Sequence, residues 1–193
     1  MTTATLEKPA KTAMNGVDVP TLVATLGVVN QQRDLARFTF RADGEWLGGT
    51  HSRASFSNFF GAGAEQAHAR TQTVEGDHPA VLCGADNGPT PVELLLAALS
   101  ACITAGIGNI ASIRQIKLDS VETTVEGDID LQGIFGMNAT VRNGFAGVRM
   151  TVKIKGDAPA DVLQKIVNQS VARSAVFDVM SNGVPVVVEA QAA

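Results

Sequence analysis

Cysteine is scarce in this 193-residue chain, which holds only Cys83 and Cys102. Two thiols cannot build the disulfide framework of a small secreted domain, so each is either a core thiol or a reacting one. The three histidines, His51, His68 and His78, are scattered, and no CxxC or HExxH spacing appears. No metal and no cofactor is therefore expected. Charge is also modest: 18% of residues are charged, the net charge is −4, and no run of Lys or Arg occurs. This balance speaks against nucleic acid or an anionic membrane surface as a partner. The opening MTTATLEKPAKTAMNGVDVP lacks the apolar core of a secretory signal, and a cytoplasmic protein is expected. Internal repeats and low-complexity segments are lacking too.

What the sequence does have is a long uncharged run. From Leu94 to Ile113 there are twenty residues without a charge, with Cys102 near the middle. That length reaches what a bilayer crossing needs. Ser100, Thr104, Asn109, Ser112, Gly106 and Gly108 interrupt it, however, and no second such run follows. The preferred reading is a helix buried on all sides in a soluble core. Thr90 is placed to cap it, Pro91 suits its first turn, and Glu93 sits at the positive end of its dipole. Ala97, Ala101, Ala105 and Gly108 recur at helical spacing, beside a second stripe of Ala98, Cys102 and Gly106. Spacing alone makes Cys102 a small core hydrophobe.

Around this helix the chain reads as strands and further helices. Residues 1–16 are small and polar and are expected to be disordered. The segment beginning at Gly16 reads as a short helix with Asp18 as cap and Pro20 at its start. Phe38 and Phe40 alternate with Arg37, Thr39 and Arg41 in a half-buried strand. A turn at Ala42-Asp43-Gly44 then leads into HSRASFSNFF as a hairpin partner. ARTQTVEG is a third short strand, followed by the loop GDHPAVLCGADNGPTP. After the long helix, KLDSVETTVEGDIDLQG reads as a strand, kinked at Gly127. AGVRMTVKIKG is another strand, with Val148, Met150, Val152 and Ile154 on one face. ADVLQKIVNQSVARSAVFDVMSN reads as one second helix, and GVPVVVEA as a closing strand. The class is α+β with mainly antiparallel sheet.

These residues resemble a known family. GADNGPTPVELLLAALSACITAGI is similar to the loop, helix and cysteine of the osmotically inducible protein C (OsmC) family, which includes the organic hydroperoxide resistance proteins. RSAVFDVMSNGVPV resembles that family's second helix and last strand. The resemblance covers about residues 36–190, leaving 1–35 as an N-terminal extension to an OsmC-like domain at 36–193. It implies an intertwined homodimer, with antiparallel sheets wrapped around buried central helices and sites at the subunit interface. It further implies thiol peroxidase chemistry: a thiolate attacks the O–O bond of a peroxide, and the sulfenic acid formed condenses with a second cysteine. A dithiol reductant then resets the disulfide.

Carried over residue by residue, Cys102 falls at the family's peroxidatic cysteine. The second cysteine of the peroxidase branches corresponds to Ser174, in the run Ser174-Ala175-Val176, and serine cannot form a disulfide. The family's helper glutamate falls at Val92, one residue before Glu93. Glu93 is thus a substitute helper or a solvated first-turn carboxylate. Arg53 and Arg173 are candidates for the helper arginine, or surface charges. Cys83 could resolve Cys102 only if its loop folds back or a second subunit supplies it, while His51 and His78 read as exposed or loop histidines. Three functions remain open. One is a one-cysteine reductase of organic or hydrogen peroxide, reset by an external thiol or dithiol. The second is a dimer binding a small hydrophobic or thiol-reactive ligand at its interface. The third is a structural or regulatory dimer.

Overall fold

The computed structural model describes residues 12–192. The expected disorder of residues 1–16 lies, for its first eleven, outside the described residues. The chain divides into two compact units, Asp18–Ala97 and Ala98–Ala193, and Met14–Val17 belongs to the second.

The first unit begins with helix α1, Val19–Gln31, capped as expected by the Asp18 carboxylate, which accepts from the Thr21 N–H at 3.0 Å. A short 3-10 turn, Arg33–Ala36, leads to strand β1, Thr39–Phe40. Then come β2, Asp43–Gly48, β3, His51–Gly61, and β4, Ala64–Gly76. All pairings are antiparallel, and β3 is the hub, bonded to β1, β2 and β4. The hairpin turn differs from expectation. Asp43-Gly44 lies inside β2, and the chain reverses instead at Gly48-Gly49, both with positive φ. Glycine alone enters that backbone region without a Cβ penalty. Ala62 and Gly63, with φ of 51° and 81°, form the tight β3–β4 turn. Phe38 and Phe40, expected half-buried, are exposed, and they stack with Phe59 beside it.

Helix α2, Pro91–Ile113, starts where the sequence placed it. Thr90 and Glu93 close a capping box: the Thr90 N–H donates to Glu93 Oε2 at 2.8 Å, and the Glu93 N–H donates to Thr90 Oγ1 at 3.3 Å. Its length and composition would suffice to cross a membrane. The expectation of burial on all sides is corrected. Leu99, Ile103, Ile107, Ile110, Ala111 and Ser112 are buried, whereas Ala97, Ala101 and Ala105 are exposed within this chain.

In the second unit, β5, Leu118–Asp128, and β6, Gly147–Gly156, form a long antiparallel ladder. Gly127 stays in register with Val148 and does not kink the strand. It is glycine because an added Cβ would lie 2.6 Å from the Phe145 ring. The expected strand also ends early. Asp130 accepts from the Gln132 N–H and caps a single helical turn, α3, Leu131–Ile134. Helix α4, Ala160–Val171, supplies Leu163, Ile166 and Val167 to an apolar cluster with Leu99, Ile103, Ile107, Ile110 and Ala111 of α2. The inward faces of β5 and β6 pack against it through Val121, Val125, Met150, Val152 and Ile154. Asn15 ties Met14–Val17 to this unit, donating to Ser112 Oγ and the Ile116 carbonyl and accepting from the Leu118 N–H at 2.9 Å.

The single second helix is two. The chain breaks after Val171 and resumes as α5, Ala175–Asn182, with Ser174 as its N-cap. The expected closing strand is not formed: residues 183–192 carry no strand, and Val186, Val187 and Val188 are exposed. A strand needs a ladder partner, and none is paired to this segment among the described residues.

Candidate functional site

The break between α4 and α5 creates the site. A serine at an N-cap turns its oxygen toward the free N–H groups of the first turn. Here Ser174 Oγ accepts from the Phe177 N–H at 3.1 Å and donates its hydrogen to Cys102 Sγ, also at 3.1 Å. Ser174 is buried and Cys102 half-buried. Sulfur contacts run longer than N–H···O bonds, so 3.1 Å is a close approach.

A second serine sets this distance. One helical turn before Ser174, Ser170 donates to the carbonyl of Ile103, the residue after Cys102, at 2.7 Å. An added Cβ at Gly106 would overlap the Ser170 hydroxyl. The pairs Cys102–Ser174 and Gly106–Ser170 are thus successive rungs between antiparallel segments, each four residues apart on both sides. The glycine lets the backbones approach, and the approach brings the serine hydroxyl onto the thiol.

The electrostatics follow. Burial pushes the Cys102 thiol up. Against it stand the Ser174 hydroxyl and the backbone N–H groups of Val176 and Ala175, and together they bring the thiol below its ordinary value. Hydrogen bonds to the charged form favour it, and a helix N-terminus adds its positive end. This donor set is one hydroxyl and two backbone N–H groups, not an arginine.

The other candidate residues are placed as follows. Arg173 is exposed in the turn before Ser174, its N–H donating to the Ser170 carbonyl. Glu93 and Arg53 belong to the first unit, whereas Cys102, Arg173 and Ser174 belong to the second. The Glu93 carboxylate serves the capping box, and the Thr90 N–H and then its hydroxyl hold it below the usual carboxylate range. Arg53 Nε donates to Glu75 Oε1 at 2.7 Å, and the same carboxylate meets His51 Nε2 at 2.8 Å through Oε2. His51 is thus half-buried in a strand and partnered, not an exposed or loop histidine; the sequence could not show that β3 and β4 pair Ser52 with Gly76 and Arg53 with Glu75. Cys83 and Cys102 are both free thiols. Cys83 is exposed at the end of the 3-10 turn Ala80–Leu82, with φ of 63°.

Sequence reasoning missed two features, one in this site and one in the first unit. The Ala175 and Val176 N–H groups are exposed by a helix break that the continuous apolar pattern of residues 160–182 conceals. The usable signal was the serine itself, an N-cap residue followed by helix formers. The other is Asp77, a buried carboxylate in the loop ahead of α2. Thr50 Oγ1 and the His78 N–H donate to one of its oxygens, and the Ala85 and Asn87 N–H groups and Asn87 Nδ2 to the other.

An α+β chain with a half-buried thiol at a helix N-terminus is a candidate thiol-reactive protein. Comparison with known proteins narrows this class. The OsmC-like protein family model matches residues 84–189, more than half of the chain, and the chain belongs to that family. Two solved structures are similar in fold. One is an OsmC-like protein from Mycoplasma pneumoniae, at 13% identity and a TM-score of 0.55, over 75% of this chain and 88% of that one. The other is a Psychrobacter arcticus protein whose name assigns it to osmotic stress induction and detoxification response. It is 15% identical with a TM-score of 0.55, over 74% of this chain and 88% of that one. No curated protein matches the sequence.

Proposed function

We propose that this chain is a one-cysteine thiol peroxidase that reduces organic or hydrogen peroxide with Cys102 and is reset by an external thiol or dithiol, in defence against oxidative stress. The observation that carries the reading is the donor set that favours the Cys102 thiolate, since only the thiolate attacks the O–O bond. Family membership supports it, as does the stress-response name of the Psychrobacter protein. The thiolate attacks one peroxide oxygen, an S–O bond forms, and the O–O bond breaks. The alkoxide leaves and takes up the proton. An external thiol then condenses with the sulfenic acid, releasing water, and a second thiol frees Cys102 as the symmetric disulfide departs.

The working form is a cytoplasmic homodimer. The exposed Ala97, Ala101 and Ala105 face of α2 and the unpaired Val186–Val188 segment are apolar surfaces that a second copy would cover. Peroxide consumption with a thiol reductant tests the activity: wild type turns over, and Cys102→Ser loses it. Equal rates would remove Cys102 from the chemistry.

A second reading is favoured by Ser174 and by the positions of Glu93 and Arg53, bound in a helix cap and an ion pair. In it the dimer binds a small hydrophobic or thiol-reactive ligand at the subunit interface without turning over peroxide. Thermal stabilisation by lipophilic compounds, in a protein inert to peroxide, would select it.

A further inference from the structure

Cys102 has an oxygen, not a sulfur, as its close side-chain neighbour. The Ser174 hydroxyl is buried at 5% exposure and fixed at both ends, accepting from the Phe177 N–H and donating to Sγ. The backbone N–H groups of Val176 and Ala175, in the first turn that Ser174 caps, favour the same thiolate. Oxidation to a sulfenate moves the negative charge from sulfur to an oxygen one bond away, still within reach of those donors. No proton-bearing sulfur stands at residue 174 to condense with it.

We propose that Ser174 and the first-turn N–H groups of α5 hold the Cys102 sulfenate as a stored oxidation state, which residue 174 cannot resolve and an external thiol discharges. The proposal rests on the peroxide reading. In the charging step Cys102–S⁻ and ROOH give Cys102–SO⁻ and ROH: the sulfur loses two electrons, the O–O bond gains them, and the leaving alkoxide takes the peroxide proton. In the discharging step the sulfenate, a proton and an external thiol give the mixed disulfide and water. Ser174 acts on the reacting sulfur and oxygen as a hydrogen-bond donor, and its separate task as N-cap must be kept apart in the test.

Four substitutions separate the two tasks. Thr caps and donates, Asn caps and donates through its amide, Asp caps but cannot donate when ionised, and Ala does neither. Wild type and variants receive one equivalent of tert-butyl hydroperoxide. Sulfenate persistence on the Cys102 peptide is then followed by dimedone trapping and mass spectrometry. A parallel pH profile of Cys102 alkylation needs no peroxide. Wild type, Ser174→Thr and Ser174→Asn should keep a long-lived sulfenate. Ser174→Ala and Ser174→Asp should shorten its lifetime about tenfold or more, the scale of one hydrogen bond to a charged group. They should also shift the alkylation profile to higher pH. A lifetime unchanged in Ser174→Ala, or shortened in Ala but not in Asp, overturns the proposal, the second outcome reducing Ser174 to a cap. A wild type whose Cys102 forms no sulfenate, while its alkylation still responds to Ser174, overturns the peroxide reading and the stored state with it.

Discussion

Asp77 and Cys102 are held by the same means and put to opposite use. Each is a group whose anion is favoured by one hydroxyl and by backbone N–H donors, Thr50 with His78, Ala85 and Asn87 for the carboxylate, Ser174 with Ala175 and Val176 for the thiol. Asp77 is buried and receives donors on both oxygens, so its lone pairs are spent on the fold of the loop. Cys102 is half-buried, and its donors come from one helix end. Saturated donors make a structural anion, and donors on one side make a nucleophile.

The sharpest way to break this contrast is to saturate Cys102. Ser174→Cys places a second sulfur where the hydroxyl lies 3.1 Å from Sγ. Mild oxidation should then join residues 102 and 174, seen as a loss of two hydrogens in the mass of the linked peptides and as complete protection of Cys102 from alkylation. Persistent alkylation under oxidation would show that the two side chains do not meet in solution. A smaller effect comes from moving the donor away. Gly106→Ala should push the Ser170 segment outward, cost about 1–3 kcal/mol in denaturant unfolding, and shift Cys102 alkylation to higher pH as Ser174 recedes. Adding Ser170→Ala should recover part of both losses, because the overlapping hydroxyl is gone. Between these lies a pure core test. Ile166 is fully buried in the cluster under the site, and Ile166→Ala should cost about 2–5 kcal/mol.

Much of this comparison could be read from the sequence, and what could not has physical causes. The long helix and its cysteine were legible because twenty uncharged residues, a capping threonine and a first-turn proline all point to one element. The β5–β6 ladder was legible because alternation is strict at Val148–Ile154. The α4–α5 break was not, since Val171 and Val176 continue an apolar helical pattern across it and only Ser174 marks the cap. Burial on all sides was overread for α2, because apolarity gives how much surface seeks cover and not which faces find it. The closing strand failed for a related reason: Val186–Val188 has strand propensity, but a ladder needs a partner that propensity does not supply. Asp77 was missed because its donors come from residues 50, 78, 85 and 87, a convergence that no local spacing shows.

The smallest expected effect concerns the saturated anion. The Thr50 hydroxyl is the largest influence on Asp77, joined by the Asn87 N–H, and these outweigh burial and hold the carboxyl far below the usual range. A depressed folded-state pKa contributes stability that is complete above the unfolded value of about 3.9 and fades as pH falls below it. Wild-type stability should therefore decline between neutral pH and pH 3 by more than that of Asp77→Asn, whose amide does not titrate. The variant itself should melt lower at pH 7, because its amide NH2 faces donors instead of accepting from them. Limited proteolysis should then cut between residues 77 and 89 sooner. Thermal melts of the two proteins across that pH range decide the matter: parallel curves would mean that the donors leave Asp77 titrating as it does in the unfolded chain, and the likeness to the Cys102 donor set would end at geometry.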